Sequence, residues 1–309
     1  MPINPLQVAV LRWGRLAPSS FAVGISSNPN PIALAFDGAN MWVTDLDDSR
    51  VTKIRASDGA ILGNFGATID SNGNPASVVH NPLYIAFDGK RLWIANNSTN
   101  TVGRIRASDG ALAGEFPVGA APSGVAVGIG NGGTGVVWVT NTGDGSVSVL
   151  DASDGSAITG SPVAIGGEPH EVMYDGTFAW VSDAAGTRVV KLLGTQVVGS
   201  FNVGAGPRGM AFDGQNIWVA NSIDNTVTEL NRSGNLVKTY NVGRQPEGVA
   251  FDGANIWVTN SLDNNVTEFR ASDGTALGTF PAGTNPFGIA FDGSFIWVAN
   301  ATTTVVSKF

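Results

Sequence analysis

The chain has 309 residues, 43% of them hydrophobic and 14% charged, with 41 glycines, no cysteine and a net charge of -8. These values describe a globular protein, exclude disulfides and thiol catalysis, and give no electrostatic reason to bind nucleic acid or an anionic membrane, both polyanions. No run approaches the roughly 18 consecutive apolar residues of a spanning helix, and Met1–Leu16 lacks the basic, apolar and cleavage segments of a signal peptide, so neither membrane insertion nor a leader is expected.

Residues 1–17 read as an N-terminal extension, in which Gln7–Leu11 resembles a lone strand and Trp13 lies outside any repeat. From residue 18 onward the chain reads as one repeating domain reaching residue 309. Phe36–Asp45 is the first copy of a motif that recurs at Phe87–Asn96, Val127–Asn141, Tyr174–Asp183, Phe212–Asn221, Phe251–Asn260 and Phe291–Asn300. Each copy centres on one tryptophan: Trp42, Trp93, Trp138, Trp180, Trp218, Trp257 and Trp297. The spacing runs from 38 residues (Trp180 to Trp218) to 51 (Trp42 to Trp93). The long interval holds an insertion at Ala67–Asn81, Gly128–Gly135 lengthens one turn, and a clipped turn at Leu193–Gln196 accounts for the short interval.

One repeat divides into four short strands. In residues 246–283, Pro246–Phe251 precedes an Asp252-Gly253 turn, since glycine tolerates the positive φ of a tight hairpin. Ile256–Thr259 is β-branched and aromatic, Val266–Arg270 alternates apolar with polar, and Gly278 opens the fourth strand. Four strands per repeat of about 40 residues predict an all-β fold: a seven-bladed β-propeller of four-stranded antiparallel blades. The last repeat stops after its third strand, at Val305–Phe309. Phe21–Gly24 matches the outer-strand sequences Phe116–Gly119 and Phe201–Gly204, so an N-terminal strand at about 21–24 is expected to complete the C-terminal blade and close the ring.

Trp138-Val139-Thr140-Asn141 and Trp257-Val258-Thr259-Asn260 resemble the Tyr-Val-Thr-Asn signature of YVTN-type propeller repeats. The preceding Pro-x-Gly-Ile/Val-Ala-Phe-Asp-Gly pattern is similar to repeats of the virginiamycin B (streptogramin) lyase-like propellers. This resemblance covers residues 18–309. It implies a bacterial, secreted or cell-surface setting, although no leader is expected in this chain. It further implies a magnesium ion held by acidic groups and histidines on one face, where a cyclic depsipeptide is opened by elimination. Glu168-Pro169-His170 resembles the family's Glu-x-His, which makes Glu168 the candidate metal ligand and His170 the candidate base. No second histidine follows in the later blades, where Arg208, Glu247 and Phe287 take the corresponding positions.

The residue after the inner-strand proline is expected to ring the central channel. Round the blades it is Ile32, Leu83, Ser123, His170, Arg208, Glu247 and Phe287. The next position is usually Gly or Ala but becomes Tyr84 and Glu171. An apolar wall facing a polar wall is the ordinary make-up of a ligand pocket. Arg208, Glu247, Phe287, Tyr84 and Glu171 are therefore the candidate ligand-binding residues, although Arg208 and Glu247 could equally neutralise each other across neighbouring blades. The Asp or Asn ending each second strand, from Asp45 to Asn300, reads as a turn cap. Asp45, Asp47 and Asp48 are a weaker candidate for calcium. The tryptophans read as packing between blades rather than a sugar platform. The expectation is a monomeric, non-catalytic propeller that binds a protein, peptide or small-molecule ligand, or a glycan, at the central mouth. The alternatives are a lyase-like enzyme with Mg or Ca and a structural domain of a larger surface protein.

Overall fold

The computed structural model describes residues 19–22, 30–66, 78–130 and 133–309. The N-terminal extension with Gln7–Leu11 and Trp13, residues 23–24 and most of the Ala67–Asn81 insertion lie outside the described residues. The fold is seven four-stranded antiparallel sheets arranged in a ring. Strands are lettered a to d from the channel outward. In blade six they are Pro246–Phe251, Asn255–Asn260, Asn265–Arg270 and Ala276–Pro281, the boundaries expected to within two residues. In the last blade, Ser19–Ala22 pairs antiparallel with Val305–Lys308 as strand d. That strand begins two residues earlier than the pattern match at Phe21. Among the described residues no helix is long and apolar enough to cross a membrane.

The two faces of strand b explain why the ring packs. Side chains alternate along a strand, so Trp42 faces the next blade while Met41 and Val43 face the previous one. Trp42 accordingly shares a core cluster with Leu92, Ile94 and Ile105 of blade two, and Met41 and Val43 share one with Trp297 of blade seven. The same holds for the other tryptophans, so each cluster spans one junction between blades. Within its own blade, Trp42 lies against Phe65 of strand d (5.3 Å between centroids), and Trp297 stacks on Phe21.

The Asp-Gly turn does more than reverse the chain. In blade six Asp252 accepts from the amides of Ala254 and Asn255 with one oxygen, and from the Trp257 indole N–H at 2.8 Å with the other. Six blades repeat that indole bond, to Asp37, Asp88, Asp175, Asp213, Asp252 and Asp292. Each of these carboxylates thus ties the turn to the tryptophan of its own blade. Blade three has the lengthened turn and no such Asp, and Trp138 donates instead to the Gly194 carbonyl of blade four. At the other end of strand b, the capping role holds. Asn260 donates to Asn265 and Thr267, and Asp183 accepts from the Glu168 amide.

Candidate functional site: the inner ring of the channel

Strand a of every blade breaks register with strand b at one place. In blade six Pro246 pairs with Asn260 but Val249 pairs with Val258, so Glu247 and Gly248 form a bulge. A bulge kinks its strand and re-aims side chains. Here it turns the second and third residues of strand a toward the channel. Strand b secures the bulge with a hydroxyl where it has one. Thr259 accepts from the Gly248 amide (2.8 Å) and donates to the Phe287 carbonyl of the next blade (2.7 Å). Thr44 and Thr140 repeat both bonds, the second to Leu83 and His170.

The inner strands approach so closely that a third-position side chain usually has no room. A Cβ on Gly209 would run into the Glu247 carbonyl, and one on Gly288 into that of Ile32. Ala33, Tyr84 and Glu171 are the exceptions, and they line a channel cavity of about 140 Å3 with Leu34, Ile85 and Val249 among its other walls. The cavity is therefore lined by the third and fourth residues of strand a, one layer beyond the second-position ring expected from sequence. The apolar arc is as expected: Phe287, Ile32 and Leu83 pack in one cluster, joined by Tyr84.

The polar arc comes together from blades two, four, five and six. The Tyr84 ring meets His170 edge-on at 5.7 Å. The Glu171 carboxylate accepts from the Met210 amide at 3.3 Å and is hydrogen-bonded to the Tyr84 hydroxyl. Arg208 Nε lies 3.9 Å from Glu247 Oε2, and Gln245 Nε2 donates to the other Glu247 oxygen at 2.9 Å. Glu247 itself is buried, its side chain 3% exposed against 33% for Arg208. Arg208 is thus the member of the pair that solvent reaches, and Glu247 orients it. Blade three fixes the backbone of His170: its carbonyl accepts from Ser123 Oγ at 2.7 Å and from Thr140 Oγ1 at 2.8 Å. His170 Nδ1, Arg208 Nε and Glu247 Oε2 are buried and make no hydrogen bond.

The channel shapes the electrostatics of this arc. His170, Tyr84 and Glu171 keep partial exposure, but only to a passage too narrow to supply bulk hydration. Burial, aided by the positive charge of Arg208, lowers the His170 pKa to about 3, so the imidazole is neutral at neutral pH. Burial raises the Glu171 pKa to about 8; the Glu247 charge adds to this, while bonds from Met210 and Tyr84 oppose it. Burial also raises Glu247, against the pull of Gln245 and Arg208, and raises Tyr84 well above its ordinary value.

Glu168 is exposed, with its amide bonded to Asp183. Asp45 accepts from the amides of Asn30 and Asp48, and Asp48 pairs with Arg50 at 2.9 Å. Among the described residues no group of three or more His, Asp or Glu side chains is placed to hold a metal ion. The residues therefore do not fit the divalent ion that the resemblance implies, and no chemistry is routed through one. Sequence reasoning missed the Thr/Ser hydroxyls of strand b, Gln245 and the Met210 amide. The first had a signal, the Trp-Val-Thr against Trp-Val-Ala difference between blades. The others had none, because they act through the bulge.

No family model matches the sequence, and no curated protein does. Solved structures do share the fold. A streptogramin B lyase is 18% identical over 94% of this chain and 96% of its own, with a TM-score of 0.78. A catalytically inactive virginiamycin B lyase from Staphylococcus aureus with quinupristin is 17% identical over 94% and 99%, with a TM-score of 0.76. The hydrazine synthase of Kuenenia stuttgartiensis is 17% identical over 93% and 97%, with a TM-score of 0.74. At these identities the likeness is one of architecture. The chain has the fold of a streptogramin lyase-like seven-bladed propeller.

Proposed function

We propose that this propeller is a binding protein whose ligand sits on the inner ring at the central mouth, between the apolar arc of Phe287, Ile32 and Leu83 and the polar arc of Arg208, His170, Glu171 and Tyr84. One observation carries the reading. The departures from the repeat converge in space, and the polar atoms they bring are under-satisfied: His170 Nδ1 is buried without a hydrogen bond, and Arg208 Nε and Glu247 Oε2 face each other only at 3.9 Å. Buried polar groups are ordinarily satisfied, so a constellation left open at a channel suits a partner. The arcs match a small molecule or peptide group with an apolar body and an anionic end, the end facing Arg208.

The test is calorimetric titration with an apolar carboxylate, 3-phenylpropionate, on wild type, Arg208→Ala and His170→Ala. Binding that weakens at least tenfold in Arg208→Ala, with the melting temperature little changed, supports the site. Equal affinity in both variants contradicts it.

A catalytic reading has one observation in its favour. A carboxyl titrating at about 8 suits general acid–base chemistry near neutral pH, whereas an imidazole held at about 3 is a weak base. In that reading Glu171 rather than His170 moves the proton. Turnover whose pH profile has a limb at about 8 that Glu171→Gln removes would favour it over simple binding.

A further inference from the structure

Away from the channel, on the face of the Asp-Gly turns, the molecule repeats a cation slot between blades. The fourth residue of strand c is Lys53, Arg104, Lys191 and Lys308 in blades one, two, four and seven. Each lies over the tryptophan of its own blade, 4.8–5.0 Å from the ring centre. Each also donates across the junction to a carbonyl at the c–d turn of the next blade: Lys53 to Ala107 (2.7 Å), Arg104 to Ala152 (3.4 Å), Lys191 to Arg232 (2.6 Å) and Lys308 to Ala56 (2.6 Å). The turn aspartate completes the slot, with Asp37 4.0 Å from Lys53 and Asp292 3.9 Å from Lys308. Carbonyl, carboxylate and aromatic face together are the chemistry that recognises an ammonium or guanidinium.

Three junctions depart from this. Blade three has Val149 at the position, an apolar filler. Blade six has Glu268, but there Phe309 packs against Trp257 and leaves almost no space. Blade five has Glu229, and the junction of blades five and six is open, a groove of about 680 Å3 lined by Asp213, Asn216, Glu229, Phe251, Ala271 and Arg270 among others. Glu229 is buried and accepts from Asn216 and from the Tyr240 hydroxyl, both at 2.7 Å. Among the described residues no cation forms an ion pair with it. Lys238, opposite it in the ladder, lies over the Tyr240 ring instead. Arg270 is paired with Asp273 at 2.9 Å. The Ala271 carbonyl stands where Ala107 and Ala152 receive their cations, and among the described residues no side chain donates to it. The analogous groove between blades one and two, about 500 Å3, has Lys53 in its floor. The two grooves are therefore copies of one structure with floors of opposite sign.

We propose that the groove between blades five and six binds a primary ammonium or guanidinium on a flexible chain, a lysyl or arginyl side chain of a partner or a free polyamine, in the place that the protein's own Lys or Arg fills at four other junctions. Trp218 is fully buried, so recognition rests on Glu229, Asp213, the Ala271 carbonyl and the Phe251 ring. The site is separate from the channel and does not depend on the function assigned there.

The test follows amide resonances of the 15N-labelled full chain during titration with n-butylammonium, n-butylguanidinium and, as the uncharged control, n-butanol. The Asn216 side chain and Ala271 backbone should shift saturably with both cations and not with the alcohol, while the Ala107 amide in the Lys53 groove stays still. Glu229→Gln should weaken binding by about tenfold, as expected for loss of a charge-assisted bond. Glu229→Lys, which restores the internal cation, should abolish it. N-acetyl-lysine methylamide binding more tightly than putrescine supports a protein partner as the source; the reverse order supports a free polyamine. Equal response to butanol, equal response at Ala107, or undiminished affinity in Glu229→Gln overturns the proposal.

Discussion

Strand b and strand a of this propeller are neighbours in every blade, yet they behave oppositely across the seven repeats. At the centre of strand b each blade places a tryptophan, 0–4% exposed and packed against the next blade, and in six of the seven the indole also bonds to its own turn. At the second residue of strand a no two blades agree: Ile32, Leu83, Ser123, His170, Arg208, Glu247 and Phe287. Exposure alone does not separate them, since Ile32, Ser123 and Glu247 are buried as the tryptophans are. What separates them is whether every blade constrains the side chain alike. The indole is enclosed on both sides in the same way, whereas the bulge turns the strand a residue toward the channel, where each side chain is held by different partners, Ser123 by Thr142 and the His170 carbonyl, Glu247 by Gln245. The scaffold is thus indifferent to what stands at the inner ring, which leaves that ring open to specificity.

This contrast can be broken from either side. The largest effect should follow Trp93→Ala, which leaves a cavity at the junction of blades two and three and removes the Asp88 bond; a loss of about 3–5 kcal/mol is expected in denaturant titration. Gly209→Ala should cost about 1–3 kcal/mol, since its Cβ would run into the Glu247 carbonyl. A neutral outcome would show that the inner strands yield more easily than their spacing implies. Lys53→Met should cost about 1 kcal/mol, by losing the bond to Ala107 and the contact with Trp42.

Inner-ring substitutions should act on pH dependence more than on stability itself. Glu171 ordinarily titrates at 4.5 and is raised to about 8 in the fold. Between those values the folded chain binds more protons than the unfolded one, so this group's contribution falls as pH rises from 4.5 to 8. His170 works in the other direction, from 3 to 6.5: there the unfolded chain binds more protons and stability rises with pH. Glu171→Gln should flatten the alkaline fall and raise the melting temperature at pH 8 by roughly 2–4 °C, with no gain near pH 4. Arg208→Ala should be the mildest, below about 1 kcal/mol, because its pairing with Glu247 is loose and partly solvated.

The legibility of the sequence divides along the same line. Seven blades, their strand boundaries and the capping Asn260 were readable because turn chemistry and side-chain alternation are local and repeated seven times. The apolar and polar arcs of the inner ring were readable because departures from a repeat stand out against it. The layer of the channel each residue occupies was not, because a one-residue bulge shifts the facing of everything that follows. Nothing in the local sequence told that Glu247 would be buried behind Arg208, or that Glu171 would bond to Tyr84 two blades away. The cation slot was missed for a different reason. Lys53, Arg104, Lys191 and Lys308 look like solvated charges on an alternating strand, and only the junction between blades gives them partners.

The central claim is that Tyr84, Glu171 and Glu247, with Arg208 at the solvent edge, form one electrically coupled site. Carboxyl 13C NMR on selectively labelled glutamate, titrated from about pH 4 to about pH 10, tests it directly. The account predicts one glutamate titrating at about 8, absent in Glu171→Gln and shifted down in Glu247→Gln, which removes the neighbouring negative charge. Every glutamate titrating near 4.5, or a raised value indifferent to Glu247, would contradict it.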